Sequence, residues 1–137
     1  MRITMSNDIP DRDTFFTLFE TTGWNEEYRL DADQLYTALQ HSWTSVSAYD
    51  GNRLAGFGRV VSDGILHALI VDLIVQPEYQ GQSIGSTLLR ELVARCRGAG
   101  IRDIQLFCAP GQAGFYEEHG FQVRPEEAPG MQLPVLP

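Results

Sequence analysis

The alternation of apolar and polar residues predicts three consecutive β-strands in the middle of the chain. Apolar and β-branched residues dominate segments 44–49, 54–62 and 67–75, and each segment has the length of a strand. Asp50-Gly51-Asn52 separates the first two segments and is typical of a tight hairpin turn. Asp63-Gly64 marks the next turn. The pattern therefore predicts three antiparallel strands that are neighbours in one sheet.

Another spacing, with apolar residues three or four positions apart, predicts four helices. These segments are 11–22, 33–42, 83–97 and 113–119. In the longest of them the apolar positions form a single stripe, made by Ile84, Leu88, Leu92, Val93 and Cys96. This amphipathic pattern indicates that one side of the helix is buried.

Shorter apolar segments predict further strands at 2–5, 104–108, 121–124 and 131–135. The helix at 83–97 links two predicted strands, which gives a strand–helix–strand unit with parallel strands. The predicted fold class is therefore α/β (α+β), with a mixed, curved central sheet and helices on both faces. The length of 137 residues fits a single domain spanning 1–137.

Residues 68–86 contain the most informative pattern in the chain. An apolar strand ends at Val75, a turn with a proline follows, and the glycine-bearing loop Gln80-Gly-Gln-Ser-Ile-Gly-Ser86 opens into the long helix. The backbone N–H groups at such a helix start have no partner inside the helix, and the helix dipole adds positive charge there. The loop is therefore a candidate phosphate site, and Asp72 lies beside it within the apolar strand.

The glycine spacing by itself leaves other interpretations open. It is not the phosphate-binding loop of nucleoside triphosphatases, because no Gly-Lys-Ser/Thr follows. It is not a dinucleotide fingerprint either, because the third glycine and the acidic residue after a second strand are absent. A plain strand-to-helix turn that uses glycine for its backbone freedom remains open at this point.

A second motif, Gly114-Phe-Tyr-Glu-Glu-His-Gly-Phe121, follows the predicted strand at 104–108. Together the two motifs resemble the GNAT superfamily of N-acetyltransferases, and the resemblance covers about residues 44–125. In that family an Arg/Gln-x-x-Gly-x-Gly/Ala loop holds the pyrophosphate of acetyl-CoA. Ser83 stands where the family usually has glycine. Because serine still offers its N–H and is a good helix N-cap, we expect the loop to bind the pyrophosphate as it does in the family.

Within the superfamily, the chain looks most similar to glucosamine-6-phosphate N-acetyltransferases and small bacterial relatives. The shared features are Asp72-Leu-Ile-Val75 ahead of the loop and the Cys108-x-Pro110 stretch before the second motif. Those relatives have asparagine four residues before the tyrosine, whereas this chain has Gln112. The resemblance therefore does not imply their substrate.

The resemblance implies acetyl-CoA as co-substrate and a set of residues that contact it. The strand backbone pairs with the pantetheine arm, the loop holds the pyrophosphate, and the second motif completes the site. The predicted contacts are Leu73, Ile74, Val75, Gln80, Gly81, Gln82, Ser83, Ile84, Gly85, Ser86, Gln112 and Phe115. No metal site is predicted.

Two residues are predicted to be catalytic. The resemblance implies that Tyr116 is the general acid for the departing thiolate, and an aromatic core residue is the alternative. Asp72 is the predicted base, because a partly desolvated carboxylate among apolar neighbours takes up a proton more readily. The alternative for Asp72 is an ion pair with Arg59 on the neighbouring strand, which would favour the charged carboxylate instead.

The acceptor is expected to bind on the side formed by about residues 1–43, while 44–125 form the acetyl-CoA-binding core. The candidate acceptor contacts are Trp24, Tyr28, Phe57 and Arg59. Aromatic side chains together with Asp72 suit a cationic amine. Arg59 suits instead a carboxylate or phosphate on the acceptor, and the sequence does not decide between them.

Composition and net charge limit the classes of partner and the cellular location. The net charge of −8 argues against nucleic acid as a partner and favours cationic substrates. No apolar run is long enough for a membrane span, and the first residues lack the apolar core of a signal peptide. With two cysteines and no disulfide framework, a cytoplasmic location is predicted. A homodimer is left open.

These inferences combine into one predicted function. The chain is expected to be an acetyl-CoA-dependent N-acetyltransferase that transfers the acetyl group directly to the primary amine of a small molecule. The alternatives are a protein or peptide N-acetyltransferase and a non-catalytic acyl-CoA-binding domain.

Overall fold

The computed structural model describes residues 2–136, which form five strands and five helices. The strands are β1 (Ile3–Ser6), β2 (Thr44–Asp50), β3 (Arg53–Ser62), β4 (His67–Val75) and β5 (Asp103–Leu106). The helices are α1 (Arg12–Glu20), α2 (Asn25–Tyr28), α3 (Ala32–Gln40), α4 (Ile84–Gly98) and α5 (Ala113–Glu118). One 3₁₀ turn, Pro77–Tyr79, lies between β4 and α4.

The five strands form one mixed sheet in the order β1-β2-β3-β4-β5. The first four pair antiparallel, and β5 pairs parallel with β4. Helix α4 lies in the connection between β4 and β5, because two parallel neighbours cannot be joined by a tight turn and need a long crossover. The predicted mixed sheet, with its antiparallel strands followed by a strand–helix–strand unit, is confirmed.

Helices cover both faces of the sheet, and each face has its own apolar cluster. Helix α4 packs on one face, where Leu88, Leu89 and Leu92 are fully buried against the strands. Helices α1 and α3 pack on the other face, with Phe15 and Leu39 among the buried residues. Both clusters bury apolar side chains away from water, which is the main stabilising term for a domain of this size.

The C-terminal part of the chain differs from the sequence-based expectation. The strands predicted at 121–124 and 131–135 are absent, and residues 121–136 form no helix or strand. Pro125, Pro129 and Pro134 interrupt this stretch, and each removes a backbone donor that a strand would use. β5 therefore pairs only with β4 among the described residues.

Two smaller elements also escaped the sequence analysis. Helix α2 has only four residues, and the turn before α4 is 3₁₀-helical.

Within residues 2–136, no helix is both long and apolar enough to cross a bilayer.

Candidate active site

A cleft opens where the parallel strands β4 and β5 separate. Their pairing ends at Ile70 and Leu106, whereas β4 continues to Val75, so the last part of its edge is unpaired on this side. The cleft has a volume of about 730 Å³. Its walls come from the end of α1, from β4, from the loop before α4, and from α5.

A bulge in β4 shapes the wall of this cleft. Phe57 pairs with Ile74 and Arg59 with Val71, so two residues, Asp72 and Leu73, face the single residue Gly58. Asp72 takes the left-handed conformation, with φ of +54°, which Asp tolerates better than most residues. A side chain at Gly58 would come within 2.8 Å of Leu92 Cδ1. Glycine there lets α4 approach the bulge closely, and the bulge redirects the strand edge into the cleft.

The loop between β4 and α4 offers a row of unused backbone donors. No residue between 2 and 136 accepts a hydrogen bond from the N–H groups of residues 81–86. They lie at the positive end of the 15-residue helix α4. Gly81, with φ of +79°, and Ser83, with φ of +66°, give the loop its curvature. Such an array is suited to bind an anion of the size of a pyrophosphate.

Ser83 does not act as the sequence analysis expected. It occupies the N-cap position of α4, but its side chain makes no capping hydrogen bond. Its left-handed backbone explains this, because N-caps that use their side chain have extended backbone angles. The position favours glycine, and serine occupies it at some cost in conformational energy.

Two polar contacts hold the start of the loop. Gln80 Nε2 donates a 3.2 Å hydrogen bond to the carbonyl of Val75. Tyr79 donates its hydroxyl to Asp50 at 2.5 Å, and the Arg53 guanidinium lies 5.4 Å from the Tyr79 ring centroid. The turn is therefore fixed to the β2–β3 hairpin. This fixes the loop relative to the sheet before any ligand binds.

Almost all of the predicted cofactor contacts line the cleft. Those that do are Leu73, Ile74, Val75, Gln80, Gly81, Ser83, Ile84, Gly85, Ser86, Gln112 and Phe115. Gln82 is the exception, because it does not line the cleft. A Cβ at Gly85 would lie 3.5 Å from Val75 Cγ2 and 3.7 Å from Phe115 Cζ. Gly85 therefore keeps the passage between β4 and α5 open.

Tyr116 lies on α5 and faces the same cleft as the loop. Its ring packs edge-to-face on Phe115, at 5.0 Å between centroids, and on Phe121, at 6.0 Å. No described residue pairs with its hydroxyl. Burial, with a smaller contribution from nearby Cys108, raises the pKa of Tyr116 above its ordinary value of 10. The phenol is therefore protonated at neutral pH and available as a donor.

Asp72 forms the ion pair with Arg59 that the sequence analysis gave as one alternative, while its role as the base stays a prediction. It lines the cleft and is the only charged residue to do so in the described chain. Its Oδ2 also accepts a 2.7 Å hydrogen bond from Arg59 Nε, with both side chains mostly buried. The ion pair is real, and the remaining face of the carboxylate is open to the cleft.

The acceptor side of the site differs most from the prediction. Trp24 lines the cleft, with its ring 6.0 Å from that of Phe19. Phe57 was predicted as an acceptor contact, but it is fully buried and packs edge-to-face on Phe15 at 5.0 Å. That prediction was wrong, because strand alternation does not say which face is covered.

The other two acceptor candidates are also outside the cleft lining. The Arg59 side chain turns towards Asp72, the Ala38 carbonyl and the Ser42 hydroxyl. Its guanidinium is therefore engaged within the protein, and a direct contact with an acceptor anion is not supported. Tyr28 is half-exposed at the end of α2 and does not line the cleft.

Eight residues of the cleft lining were not among the predicted site residues, and Thr21, Thr22 and Phe107 are three of them. Thr21 and Thr22 line the cleft at the end of α1, and each donates its hydroxyl at 2.7 Å to a carbonyl of that helix. Phe107 follows β5 and is largely exposed. The signal for the threonines was their place between an apolar helix and Gly23. Phe107 had no signal, because it continues the apolar pattern of the strand.

Among residues 2–136, no three His, Cys, Asp or Glu side chains come together in a way that can hold an ion.

Comparisons with known proteins agree with this geometry. The profile of the acetyltransferase (GNAT) family matches residues 11–121. A curated protein named serotonin N-acetyltransferase 2, chloroplastic, from rice (Oryza sativa subsp. japonica) is 36% identical over 107 residues, which is 75% of this chain and 54% of that protein. A protein named histone acetyltransferase TAP1 from soybean (Glycine max) is 33% identical over 125 residues, covering 83% of this chain and 53% of that protein.

Solved structures extend the likeness to the whole fold. A GNAT-family acetyltransferase from Streptococcus pneumoniae superposes with a TM-score of 0.73 at 31% identity, covering 89% of each chain. The chain spans about half the length of the two curated plant relatives. Since the family profile covers strands β2 to β5, the loop and the cleft together, this chain belongs to the GNAT family of acetyltransferases.

Proposed function

We propose that this chain is an acetyl-CoA-dependent N-acetyltransferase that transfers an acetyl group directly to the primary amine of a small molecule. The observation that carries the proposal is the row of unpaired N–H groups at residues 81–86, in the same cleft as the Tyr116 hydroxyl. An anion site can hold a phosphate-bearing thioester, and a protonated phenol in the same cleft can donate a proton to its leaving thiolate.

The residues present fit acetyl-CoA. The six N–H groups of residues 81–86 match a pyrophosphate in charge and hydrogen-bonding character. The unpaired edge of β4 between Val71 and Val75 offers backbone groups to an extended, amide-bearing arm, as strand edges do for peptides. When bound, acetyl-CoA supplies the acetyl group as an activated thioester. Gln112 and Phe115 would bound the same path from the α5 side.

Tyr116 would act as the general acid in this proposal. Its phenolic proton stays in place at neutral pH because burial disfavours the charged phenolate. Without a protein partner, the hydroxyl is free to donate to the sulfur of a leaving thiolate. A positioned acid of this kind typically contributes about 10²–10⁴-fold in rate.

Asp72 would receive the proton of the amine or bind the ammonium form. Its open carboxylate face supports either role, and Arg59 on the other side would orient it. A water between Asp72 and the amine would serve the same purpose.

The acceptor class follows from the walls of the cleft. Trp24, Phe107 and Tyr116 give aromatic surface, and Asp72 gives the only charge of the lining. Aromatic faces and a carboxylate suit a cationic amine, especially one that carries an aromatic group. The name of the rice relative, a serotonin N-acetyltransferase, supports an aromatic amine as the first class to test. The net charge of −8 would favour the approach of any cation.

Acetylation of a protein lysine is a second candidate, because the soybean relative is named a histone acetyltransferase. We rank the small amine first, because the aromatic surface of Trp24 and Phe107 beside Asp72 suits a cationic aromatic amine. A non-catalytic acyl-CoA-binding role is the third candidate.

The experiment measures thiol release from acetyl-CoA with a panel of acceptors. The panel contains aromatic primary amines, aliphatic amines, aminosugar phosphates and histone peptides, with N-acetylated amines as blocked controls. We expect turnover with the aromatic primary amines and none with their blocked forms. Direct transfer predicts intersecting initial-rate plots, and an intact mass without an added acetyl group after incubation with acetyl-CoA alone.

Each other result has a defined meaning. Turnover with peptides alone would replace the small-molecule proposal with protein acetylation. Thermal stabilisation by acetyl-CoA without turnover on any acceptor would favour the non-catalytic role. Absence of both binding and turnover would reject the proposal.

A further inference from the structure

The end of helix α1 forms one wall of the active-site cleft and presents two hydroxyl oxygens whose protons are already used. Thr21 and Thr22 line the cleft directly after the helix. Thr21 donates its hydroxyl to the Leu18 carbonyl at 2.7 Å, and Thr22 donates its hydroxyl to the Phe19 carbonyl at 2.7 Å. A hydroxyl has one proton and two lone pairs, so each oxygen is left to accept a hydrogen bond from a ligand.

The carbonyl groups behind these hydroxyls are themselves occupied. The Leu18 carbonyl also accepts the backbone N–H of Thr21 at 3.1 Å, and the Phe19 carbonyl accepts that of Thr22 at 3.1 Å. Since a carbonyl oxygen has two lone pairs, the threonine hydroxyls are the acceptors that remain at this end of the helix. A hydroxyl that donates to a carbonyl is polarised by it and becomes a stronger acceptor.

The electrostatics of the same wall favour a donor group that is neutral or positive. The C-terminal end of a helix carries partial negative charge, and no basic residue lies in the last turn of α1 to offset it. Asp72 is the one charged residue that lines the cleft in the described range 2–136. A carboxylate or phosphate placed against Thr21 and Thr22 would therefore meet lone pairs and a negative helix end.

Trp24 is fixed beside the threonines. Its backbone N–H donates to Thr22 Oγ1 at 3.1 Å, and its ring packs edge-to-face on Phe19 with 6.0 Å between the centroids. The residue also lines the cleft and is half-buried. A ligand ring that lies against Trp24 would carry its substituents close to the threonine oxygens.

We propose that Thr21 and Thr22 determine acceptor specificity, by selecting amines that carry a second hydrogen-bond donor over amines that lack one or carry an anionic group. The reacting amine lies towards Asp72 and Tyr116, and the second donor, a hydroxyl or an amino group, binds to the threonine oxygens. This inference rests on the proposed function, because it describes the acceptor side of the same cleft.

The two threonines act by binding and not by chemistry. Their oxygens receive the far end of the acceptor, whereas the proton transfers take place at Tyr116 and Asp72. A site that accepts a hydrogen bond from a substrate discriminates against an analogue without the donor, because the acceptor atom then loses its partner. Their contribution should therefore appear in the KM for donor-bearing acceptors and not in kcat.

The experiment compares matched acceptors on the full chain. Phenethylamine is the reference, and its para-hydroxy, para-methoxy and para-carboxy derivatives add a donor, an acceptor without a proton, and an anion. For the wild type, we expect kcat/KM with the hydroxy compound to exceed that with the methoxy compound on the order of 10-fold, the value of one hydrogen bond. The carboxy compound should be the poorest acceptor.

Thr21→Val/Thr22→Val replaces both hydroxyls by methyl groups of the same shape. The preference for the hydroxy over the methoxy compound should disappear, through a higher KM for the hydroxy compound. This preference is a ratio measured on one enzyme preparation, so a partial loss of folded protein does not change it. The KM for acetyl-CoA should stay the same, because the anion site is at residues 81–86.

Two further variants serve as controls. Thr21→Ser/Thr22→Ser keeps both hydroxyls and should keep the preference. Thr17→Val removes a hydroxyl that donates to the Asp13 carbonyl of the same helix at 3.0 Å, but Thr17 is exposed and does not line the cleft. It should also keep the preference.

The outcomes separate this inference from the proposed function. Turnover of all the amines without a preference for the hydroxy compound, or a preference that survives in the double valine variant, would overturn the inference and leave the proposed function standing. If no amine is turned over, the proposed function fails, and calorimetric titration of the same compounds into the protein with CoA decides the inference. Tighter binding of the hydroxy compound that is lost in the double valine variant would still support it, and equal or absent binding would overturn it.

Discussion

Arg59 Nε donates a 2.7 Å hydrogen bond to Asp72 Oδ2 and thereby connects the bulge in β4 to the neighbouring strand β3. The same guanidinium donates to the Ala38 carbonyl and the Ser42 hydroxyl at the end of α3. The helix on the acceptor side is thus linked to the strand beside which acetyl-CoA is proposed to lie. The position of Asp72 in the cleft therefore depends on Arg59.

Asp72→Asn should reduce both stability and catalysis, and two independent measurements distinguish the two effects. Loss of the carboxylate leaves a mostly buried guanidinium without its counter-charge, and we expect a loss of about 3 kcal/mol in the free energy of unfolding. If Asp72 is also the base, kcat/KM should fall and the acidic limb of its pH profile should disappear. Urea unfolding and pH-dependent rates on the same variant measure the two effects.

The Arg12–Asp33 pair provides a matched control. Its N–O distance is also 2.7 Å, but both side chains are largely exposed. Asp33→Asn should therefore cost less than about 1 kcal/mol and leave the rate unchanged. An Asp72→Asn enzyme with wild-type stability and an unaltered pH profile would contradict both roles of Asp72.

Gly85→Glu tests the anion site at the start of α4. A Cβ at this position meets only side-chain atoms at ordinary contact distances, so the fold should tolerate it. A carboxylate at a helix N-terminus is favourable in itself, so the melting temperature without ligand should not fall. The same carboxylate would occupy the donors and repel phosphate. We expect the increase in melting temperature with acetyl-CoA to be lost.

Gly98→Glu is the control for this experiment, because Gly98 lies at the other end of the same helix with open space around it. It should keep the response to acetyl-CoA, although negative charge at a helix C-terminus lowers stability slightly. A full acetyl-CoA response in Gly85→Glu would mean that the cofactor does not bind at this loop.

Local patterns were sufficient to predict most of the fold. The strands β2, β3 and β4 are apolar segments of strand length bounded by turns, and the helix α4 has one apolar stripe; burial of these residues is what stabilises the elements. The loop at Gln80–Ser86 and Tyr116 were identified because two motifs occur in the right order. Their meeting in one cleft follows from the parallel pairing of β4 and β5.

Features that depend on distant contacts escaped prediction. Helix α2 has no apolar period and is supported by Asn25, whose amide bonds to Leu30 in both directions. The bulge at Asp72 depends on how α4 packs over Gly58, which no local pattern reports. Phe57 was predicted to contact the acceptor but is fully buried, because both faces of β3 are covered. The strands predicted after α5 had the right alternation but no partner in the single chain.

Ser83→Gly should stabilise the protein, because Ser83 holds a left-handed backbone without a compensating side-chain contact. We expect a gain of up to about 1 kcal/mol in the free energy of unfolding. The backbone N–H is unchanged, so acetyl-CoA affinity should be kept or improved. Denaturant unfolding and calorimetric titration measure the two quantities.

Ser86→Gly is the matched control for Ser83→Gly. Ser86 lies inside the first turn of α4 with ordinary helical geometry, so glycine should cost roughly 0.5–1 kcal/mol there. A loss of stability in both variants would show that Ser83 is not strained.

Tyr116→Phe removes one hydroxyl and tests the proposed general acid. The ring contacts with Phe115 and Phe121 remain, so acetyl-CoA affinity should change little. We expect kcat to fall on the order of 10²-fold. Burial raises the Tyr116 pKa above 10, so the wild-type rate should stay high through neutral pH and decline only above pH 10. That alkaline decline should be absent from the residual activity of the variant.

The same shift has a consequence for stability. The pKa of Tyr116 in the folded state exceeds the value of about 10 in the unfolded state. Its contribution is therefore fully present below pH 10 and is lost as pH rises through the folded-state pKa. The free energy of unfolding of Tyr116→Phe should therefore fall less steeply above pH 10 than that of the wild type. Tyr49→Phe is the control, because burial also raises the pKa of Tyr49, yet Tyr49 lies outside the cleft and its loss should leave kcat unchanged. Wild-type turnover in Tyr116→Phe would return Tyr116 to the aromatic core of α5 and leave the leaving group to be protonated by solvent.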